Sequence, residues 1–378
     1  MRISVIASLL DRRPSGLGVY TANVVRELSK IASPKHKLTV FASCPSGLEI
    51  DQSSAISLKE APAFLQPRFG KPAALLRFAW TQVFLPFKLY EQDIAYCPTH
   101  HGMLRGSIKQ VVTVHDLLPI RFPSQYRLQH QYFSFVLPKL LDRAAAVIAD
   151  SQNTKLDIHN YYKIPLHKIF VVHCAADAQY KPCEAVAVRK IKQLYGLQDF
   201  LLVVGASYAH KNIERALEAF ARAKSVLPGV DLVVAGGRPA YLGLLRQKAK
   251  ALKLPEVKFL GYVPPEELPA LYSAAGALLY PSLYEGFGLP PLEAMACGCP
   301  VIVSNTSSLP EVCGSAAYYV DPSSIDSLAE AIAKVMLDDD VKHSLRQKGV
   351  ERARLFSWEN TAMNIMRVLE EVGSAGHV

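Results

Sequence analysis

The stretch 276–304, GALLYPSLYEGFGLPPLEAMACGCPVIVS, constrains this chain more than any other. Residues 276–280 form a short apolar run that reads as a buried parallel strand, and 300–303 reads as the next one. Between them Pro281-Ser282 ends the first strand and Glu285-Gly286-Phe287-Gly288 forms a loop. Pro290 and Pro291 stand where a helix begins, because proline's fixed φ suits the first turn and its missing N–H is not needed there. The helix runs through Leu292, Met295 and Ala296 to Cys297 and stops at Gly298. Such a unit aims a glycine loop and the positive end of a helix at one point, which suits a diphosphate. Glu285 and Glu293 flank that point. A carboxylate there accepts hydrogen bonds from sugar hydroxyls and repels phosphate. The unit therefore asks for a ligand that is part anion and part polyol, a nucleotide sugar. Alone, two glutamates at this spacing are more often a helix cap and a solvated loop residue, and the words around them decide.

Strands alternate with helices along the rest of the chain, which implies a parallel sheet in each half. The first half shows strands at 3–7, 38–42, 94–97, 110–114, 146–149 and 169–172, and helices at 19–31, about 125–143 and 154–162. Residues 44–70 carry little pattern. The second half adds strands at 200–204, 231–235, 257–260 and 316–320, with helices at 213–225, 241–253 and from 325 to about 337. A length of 378 residues fits two domains, 1–180 and 181–355, joined in the loop 174–184. The spacing of Ala362, Ile365, Met366 and Leu369 predicts a last helix over 357–374.

Composition limits the partners. No apolar run reaches the roughly 18 residues that a bilayer span needs. The N-terminal apolar segment leads into Asp11-Arg12-Arg13 and a glycine turn, so it reads as the first strand and not as a leader. Seven scattered cysteines, most inside apolar runs, predict reduced buried thiols and a cytoplasmic setting. The net charge of +9 lies wholly in the first half: residues 1–180 hold 21 Lys and Arg against 12 Asp and Glu, and 181–378 hold 21 against 21. A basic half beside a neutral one points to an acidic acceptor or an anionic membrane surface, with a merely solvated basic face as the equal alternative. Residues 71–92, KPAALLRFAWTQVFLPFKLYEQ, read first as a core helix. A membrane-surface helix with its aromatic residues at the interface is the second reading, and Pro86 kinks or ends either.

YEGFGLPPLEAMACGCPVI resembles the donor-binding signature of family 4 retaining glycosyltransferases, E-G-F-G-L-x-x-x-E-A-x-A-x-G-x-P-V. The run VTVHDLLPIRFP at 112–123 resembles the same segment in bacterial polysaccharide and O-antigen mannosyltransferases of that family. The resemblance implies GT-B architecture: two Rossmann-like parallel-sheet domains facing a cleft, with the last helix returning to the first domain. It implies a hexosyltransferase that needs no cofactor and no metal. Mannose from GDP-mannose is the favoured donor group, and the acceptor is a glycan or lipid-linked glycan.

Carried over residue by residue, Glu285 and the backbone of Gly286, Phe287, Gly288 and Leu289 hold sugar and diphosphate, and Glu293 holds the ribose. Tyr262 and Val263 match where the family reads the base through the backbone, and Arg238 contacts phosphate or base. His115 matches a histidine that hydrogen-bonds the donor sugar. Lys211 is the phosphate ligand: a cation at a helix start is unfavourable without an anion, and this one meets charge developing on the leaving diphosphate. Gly16 and Gly18, in the turn Ser15-Gly-Leu-Gly18, fall beside diphosphate and acceptor. Thr21, where a dinucleotide fingerprint has its third glycine, argues against a redox cofactor.

The chain departs from the family at one place. An arginine usually follows the Gly205 position, where this chain has Ala206 and the donor-side Ser207, and His210 replaces an arginine beside Lys211. Either Lys211 works with less cationic help or His210 supplies some. Asp338-Asp339-Asp340 reads as a solvated turn and not as a metal site. No carboxylate is placed as a covalent nucleophile, so same-face attack with the departing phosphate as base is the favoured route. The alternatives are a transferase using UDP- or ADP-glucose, an epimerase or hydrolase on the same scaffold, and a non-catalytic nucleotide-sugar binder. Nothing matches a nucleic-acid-binding motif. The acceptor is expected on the irregular surface of 44–105, with the enzyme cytoplasmic and peripheral on the inner face of a membrane.

Overall fold

The structure, a computed structural model, describes residues 1–11, 16–48, 50 and 55–374. Two compact units emerge, one built from Met1–Cys174 with Ser357–Val378 and the other from Ala175–Phe356. The second unit thus starts a little ahead of residue 180.

The first unit is organised on seven parallel strands: β1 (Arg2–Ala7), β2 (Lys37–Ala42), β3 (Ile56–Glu60), β4 (Ile94–Cys97), β5 (Lys109–Val114), β6 (Ala146–Ala149) and β7 (Ile169–Val171). Their order is β3-β2-β1-β4-β5-β6-β7. The apolar runs of β1, β4, β5 and β6 are buried on both faces, as a sheet sandwiched between helices requires. β3 falls within the stretch that carries no readable pattern. It is an edge strand with most of its side chains in solvent, so ISLKE shows no apolar alternation.

The helix Gly16–Ile31 begins at the glycine turn itself, which places Gly16 and Gly18 in its first turn and not in a free loop. Ser15 of that turn lies outside the described residues. The helix expected over 125–143 is two, Arg127–Phe135 and Leu137–Arg143, because Pro138 cannot continue the first. The helix Trp358–Ser374 packs on this unit. Trp358 meets Tyr20 edge-on at 5.6 Å, the Thr361 hydroxyl donates to the His173 carbonyl at 2.8 Å, and Lys109 Nζ donates to that of Val372 at 3.1 Å.

The helix Gly70–Val83 corrects the core reading of 71–92. Ala73, Arg77 and Trp80, spaced i, i+4 and i+7, are buried, whereas Leu75, Leu76 and Val83 on the same helix are exposed. Pro86 opens a second short helix, Leu85–Lys88, around which Phe84, Phe87 and Tyr90 project into solvent, the last two 77% and 80% exposed.

The second unit has six parallel strands: β8 (Asp199–Val204), β9 (Val230–Ala235), β10 (Val257–Gly261), β11 (Ala277–Tyr280), β12 (Val301–Ser304) and β13 (Tyr318–Val320). They stand in the order β10-β9-β8-β11-β12-β13. Leu217 and Phe220 of the helix Ile213–Ala223 and Leu328 and Ile332 of the helix Ile325–Leu337 are fully buried against Leu201, Val203 and Leu279 of the sheet. Burial contributes about 1.5–3 kcal/mol for each such Leu, Ile or Phe. Asp338–Asp340 is not a solvated turn. Asp338 caps the helix Asp339–Ala353 by accepting the Val341 N–H at 3.0 Å, and the two following acids sit in a first turn whose dipole favours them.

Candidate functional site

In the second unit the strand order turns back between β8 and β11, so the loops after these strands part at the carboxyl edge, where open α/β sheets hold their ligands. Both loops bring predicted residues there. After β8 the chain passes through the 3₁₀ turn Ala209–Lys211 to Asn212, whose backbone is left-handed at φ 60°. The Asn212 amide donates to the carbonyls of Pro281 at 3.0 Å and Pro322 at 2.7 Å, tying the loops after β8, β11 and β13 together.

Lys211 Nζ donates to Glu285 Oε1 and to the Tyr280 hydroxyl, both at 2.7 Å, and lies 4.9 Å from the centroid of the Tyr280 ring. Burial pushes the Glu285 carboxyl up, but the Lys211 charge, His210 and hydrogen bonds from Lys211 and Ser282 together hold it below its ordinary value. Lys211 and Glu285 therefore form an ionised pair with little exposure.

Serines fix the loop that carries Glu285. The Glu285 N–H donates to Ser307 Oγ at 3.0 Å, and the Ser308 hydroxyl lies 3.0 and 2.7 Å from the carbonyls of Glu285 and Phe287. Gly286 continues this loop. Phe287 is buried edge-on to Phe356 at 5.8 Å, which leaves its backbone, not its ring, for a ligand. Gly288 has φ 110°, and an added Cβ would stand 2.8 Å from Leu309 Cδ2, so only glycine fits. Leu289 opens the helix Leu289–Ala296; Pro290 and Pro291 in its first turn carry no N–H and the Leu292 N–H donates to the Gly288 carbonyl at 3.4 Å, which leaves the Leu289 N–H at the loop.

One turn on, Glu293 accepts the Tyr272 hydroxyl at 3.0 Å. Burial pushes its carboxyl up to about 7, against the lowering influence of hydrogen bonds from Tyr272 and Tyr180. The two glutamates of the signature thus occupy opposite environments, one ion-paired and ionised, the other poised near neutrality.

His210 does not replace the missing arginine. It is buried, and burial drives its imidazole down to about 4, so it is neutral at pH 7. A cation reaches this loop from elsewhere: the Arg238 guanidinium lies 4.0 Å over the Tyr208 ring, and the Arg238 N–H donates to the Ala206 carbonyl at 3.1 Å. This approach needs Gly237, where any Cβ would strike Ala206. Ser207 is held by its N–H to the Gly205 carbonyl at 2.7 Å. At the end of β10, Tyr262 is exposed and Val263 buried.

In the first unit the order turns back between β1 and β4. Gly16 follows β1, and an added Cβ there meets nothing within 4 Å among the described residues. His115 follows β5. Its Nδ1 is 2.6 Å from Asp150 Oδ2, its Nε2 is 2.9 Å from the Pro98 carbonyl, and its ring meets Tyr20 edge-on at 4.5 Å. A carbonyl only accepts, so Nε2 carries a proton, and a carboxylate at Nδ1 favours a second. Burial opposes the charge, but Asp150, the Pro98 carbonyl and Asp116 together outweigh it, and the imidazole is raised above its ordinary value. Both nitrogens are engaged within the unit, so a hydrogen bond from His115 to a sugar requires it to exchange the Pro98 carbonyl.

Sequence reasoning missed Asp150, Tyr280, Tyr272 and Tyr208. Asp150 was legible only as part of a helix cap, a task that Ser151 performs alone by accepting the Thr154 N–H at 3.0 Å. Tyr280 ends β11 and so falls at the edge from which the loop departs. His100 and His101, directly after β4, also went unread. Their rings lie tilted at 32° with centroids 4.2 Å apart, and burial lowers both, His101 to about 3.

Residues 14–180 match the family described as Glycosyltransferase Family 4, and residues 187–354 match Glycosyl transferases group 1. The chain is 31% identical to the O-antigen chain mannosyltransferase B of Escherichia coli, over 92% of this chain and 93% of that protein. It is 36% identical to the O-antigen chain mannosyltransferase RfbU of Salmonella typhimurium, over 63% of this chain and 64% of that one. Among solved structures it is similar in fold to sucrose-phosphate synthase from Thermosynechococcus elongatus, with a TM-score of 0.76 at 20% identity and both chains fully covered.

Proposed function

The chain belongs to the glycosyltransferases, to family 4 through its first half and to group 1 through its second, and on that premise we propose that it transfers mannose from GDP-mannose to a lipid-linked glycan, with retention and without a metal ion. The observation that carries this is the Lys211–Glu285–Tyr280 cluster at the point where the second sheet reverses. A preformed pair of opposite charges suits a ligand that carries both diphosphate and hydroxyls. The diphosphate takes Lys211, the Leu289 N–H and the positive end of the helix Leu289–Ala296, and the released Glu285 accepts from sugar hydroxyls. Glu293 accepts from the ribose, and the backbone at Tyr262 and Val263 meets the base.

The bond from mannosyl C1 to the diphosphate oxygen breaks, and a bond from C1 to the acceptor oxygen forms on the same face. The acceptor proton passes to the departing phosphate. Glu285 serves as a holder and not as a nucleophile, because its carboxylate, once Lys211 turns to the diphosphate, is occupied by the sugar hydroxyls. The mannosyltransferase relatives favour mannose as the sugar. His115 contributes to sugar binding once Pro98 is exchanged.

The exposed Phe84, Phe87 and Tyr90, with Lys71 and Lys88 in the same stretch, favour docking on an anionic membrane surface. Thermal-shift titration with GDP-mannose, UDP-glucose and ADP-glucose tests the donor. GDP-mannose alone should stabilise strongly, by about 2.7 kcal/mol at a hundredfold excess over Kd. Product NMR should show the α-anomer, formed equally well in a chelator. Stabilisation by UDP-glucose alone, or loss of turnover in the chelator, would overturn the assignment. Flotation with anionic but not neutral liposomes checks the membrane surface.

A further inference from the structure

We propose that a second cavity, at the carboxyl ends of β2 and β3 in the first unit, binds a pyranose carrying a phosphate, the glycan end of the acceptor; this rests on the transferase reading above. The cavity measures about 480 Å³, within the size range of small-molecule sites, and lies at the sheet edge where α/β units hold ligands. Its walls are chemically unlike one another. Trp80, 5% exposed, supplies a flat apolar wall of the kind on which a sugar ring stacks. Gln66 is equally buried. Its Nε2 donates to the Ser43 carbonyl at 2.6 Å, while its Oε1 has no hydrogen-bond partner among the described residues. The nearby Ser43 hydroxyl does not serve Gln66, being 2.9 Å from each of the carbonyls of Ser8 and Leu10. A buried acceptor without a donor is costly, and a turn of the Gln66 side chain toward a ligand hydroxyl would remove that cost.

Charge narrows the ligand further. Glu60, exposed at the end of β3, forms no ion pair among the described residues and accepts from hydroxyls, which sets the cavity apart from a bare phosphate site. Arg68 and Lys88 also line it, and neither pairs with an acid among the described residues. Two uncommitted cations beside one carboxylate call for a sugar with an anionic group attached. Lys88 ends the Leu85–Lys88 helix beside the exposed Phe87, so a chain leaving the phosphate there finds apolar side chains. That placement favours a polyprenyl phosphate over a soluble sugar phosphate.

The chain has two tryptophans, Trp80 and Trp358, so Trp358→Phe leaves Trp80 as the sole fluorescent reporter. Mannose 1-phosphate and N-acetylglucosamine 1-phosphate should change its emission saturably, and inorganic phosphate should not. Glu60→Gln should weaken binding of the sugar phosphates and of methyl mannoside about tenfold, whereas Lys88→Ala should weaken the sugar phosphates alone by a similar factor. Both positions are exposed, so neither change threatens the fold. A polyprenyl-phosphate-linked sugar in detergent should bind more tightly than its soluble counterpart; equal affinity would overturn the lipid-linked part. An unresponsive Trp80, or a response indifferent to both substitutions, would overturn the site. GDP release by the unsubstituted enzyme is read in parallel. Failure of that release counts against the transferase reading alone, and an unresponsive Trp80 in an enzyme that turns over donor counts against this cavity alone.

Discussion

Substituting Lys211 by alanine separates the role of the pair from that of its members. The Lys211 and Glu285 side chains are 17% and 10% exposed, so removing the cation strands a carboxylate that water barely reaches. Breaking a buried pair in this way costs about 3–5 kcal/mol, mostly from the uncompensated charge. In the double variant Lys211→Ala/Glu285→Gln that charge is gone, and most of the loss should return. The sign of the pH dependence should change as well. In the native protein the folded Glu285 carboxyl titrates below its ordinary 4.5, so its stabilising contribution is present above 4.5 and lost as pH falls through the folded value. Without Lys211, burial raises the carboxyl above 4.5, and stability then declines as pH climbs past that value. Urea denaturation from pH 4 to 8 reads both effects, with hydrogen exchange at β8 and β11 reporting the second unit separately. Turnover should fall about 10²–10³-fold in either variant. A single variant as stable as wild type at pH 7, or a double variant no more stable than the single, would show that the pair does not carry the charge balance assigned to it.

Glu293 should give the opposite pH signature. With its folded carboxyl raised to about 7 from 4.5, the folded state holds an extra proton between those values, and stability falls as pH rises across that window. Donor affinity, which needs the carboxylate to accept from ribose, should increase as pH passes 7, and Glu293→Gln should flatten both profiles in calorimetry. Tyr272→Phe removes a hydrogen bond that lowers the carboxyl, so the midpoint should move further up. For His115, Asp150→Asn leaves burial unopposed by its main counterweight, and the imidazole should titrate below 6.5 by NMR in place of above it; an unchanged titration would refute the pairing.

The sequence made the strands legible wherever both faces are buried, since VIVS and ALLY have no polar alternative. It failed at β3, whose side chains face solvent, and at the helix around Pro138, where periodicity masked the break. Within the site, the Glu285–Glu293 spacing and Lys211 were readable because loop, helix start and charge sit within short stretches. Their partners were not. Tyr280 and Tyr272 sit in apolar runs where a tyrosine looks like core, and Asp150 reaches His115 across 35 residues of chain. The arginine missing near Gly205 was legible as an absence, but its structural answer, Arg238 over Tyr208, depends on the close approach at Gly237.

The first unit closes only when the last helix returns to it, and this sets terms for recombination between relatives. A fragment ending at Cys174 lacks the Trp358 ring against Tyr20, the Val372 carbonyl that Lys109 meets and the carboxylate at 2.8 Å from His36 supplied by Glu370. Exchanging the second unit for that of a relative with another donor therefore needs two junctions, 174/175 and 356/357. A single-crossover chimera would bring a foreign helix to Tyr20. Natural mosaics among such enzymes should accordingly carry a short terminal segment whose ancestry follows the first half of the gene.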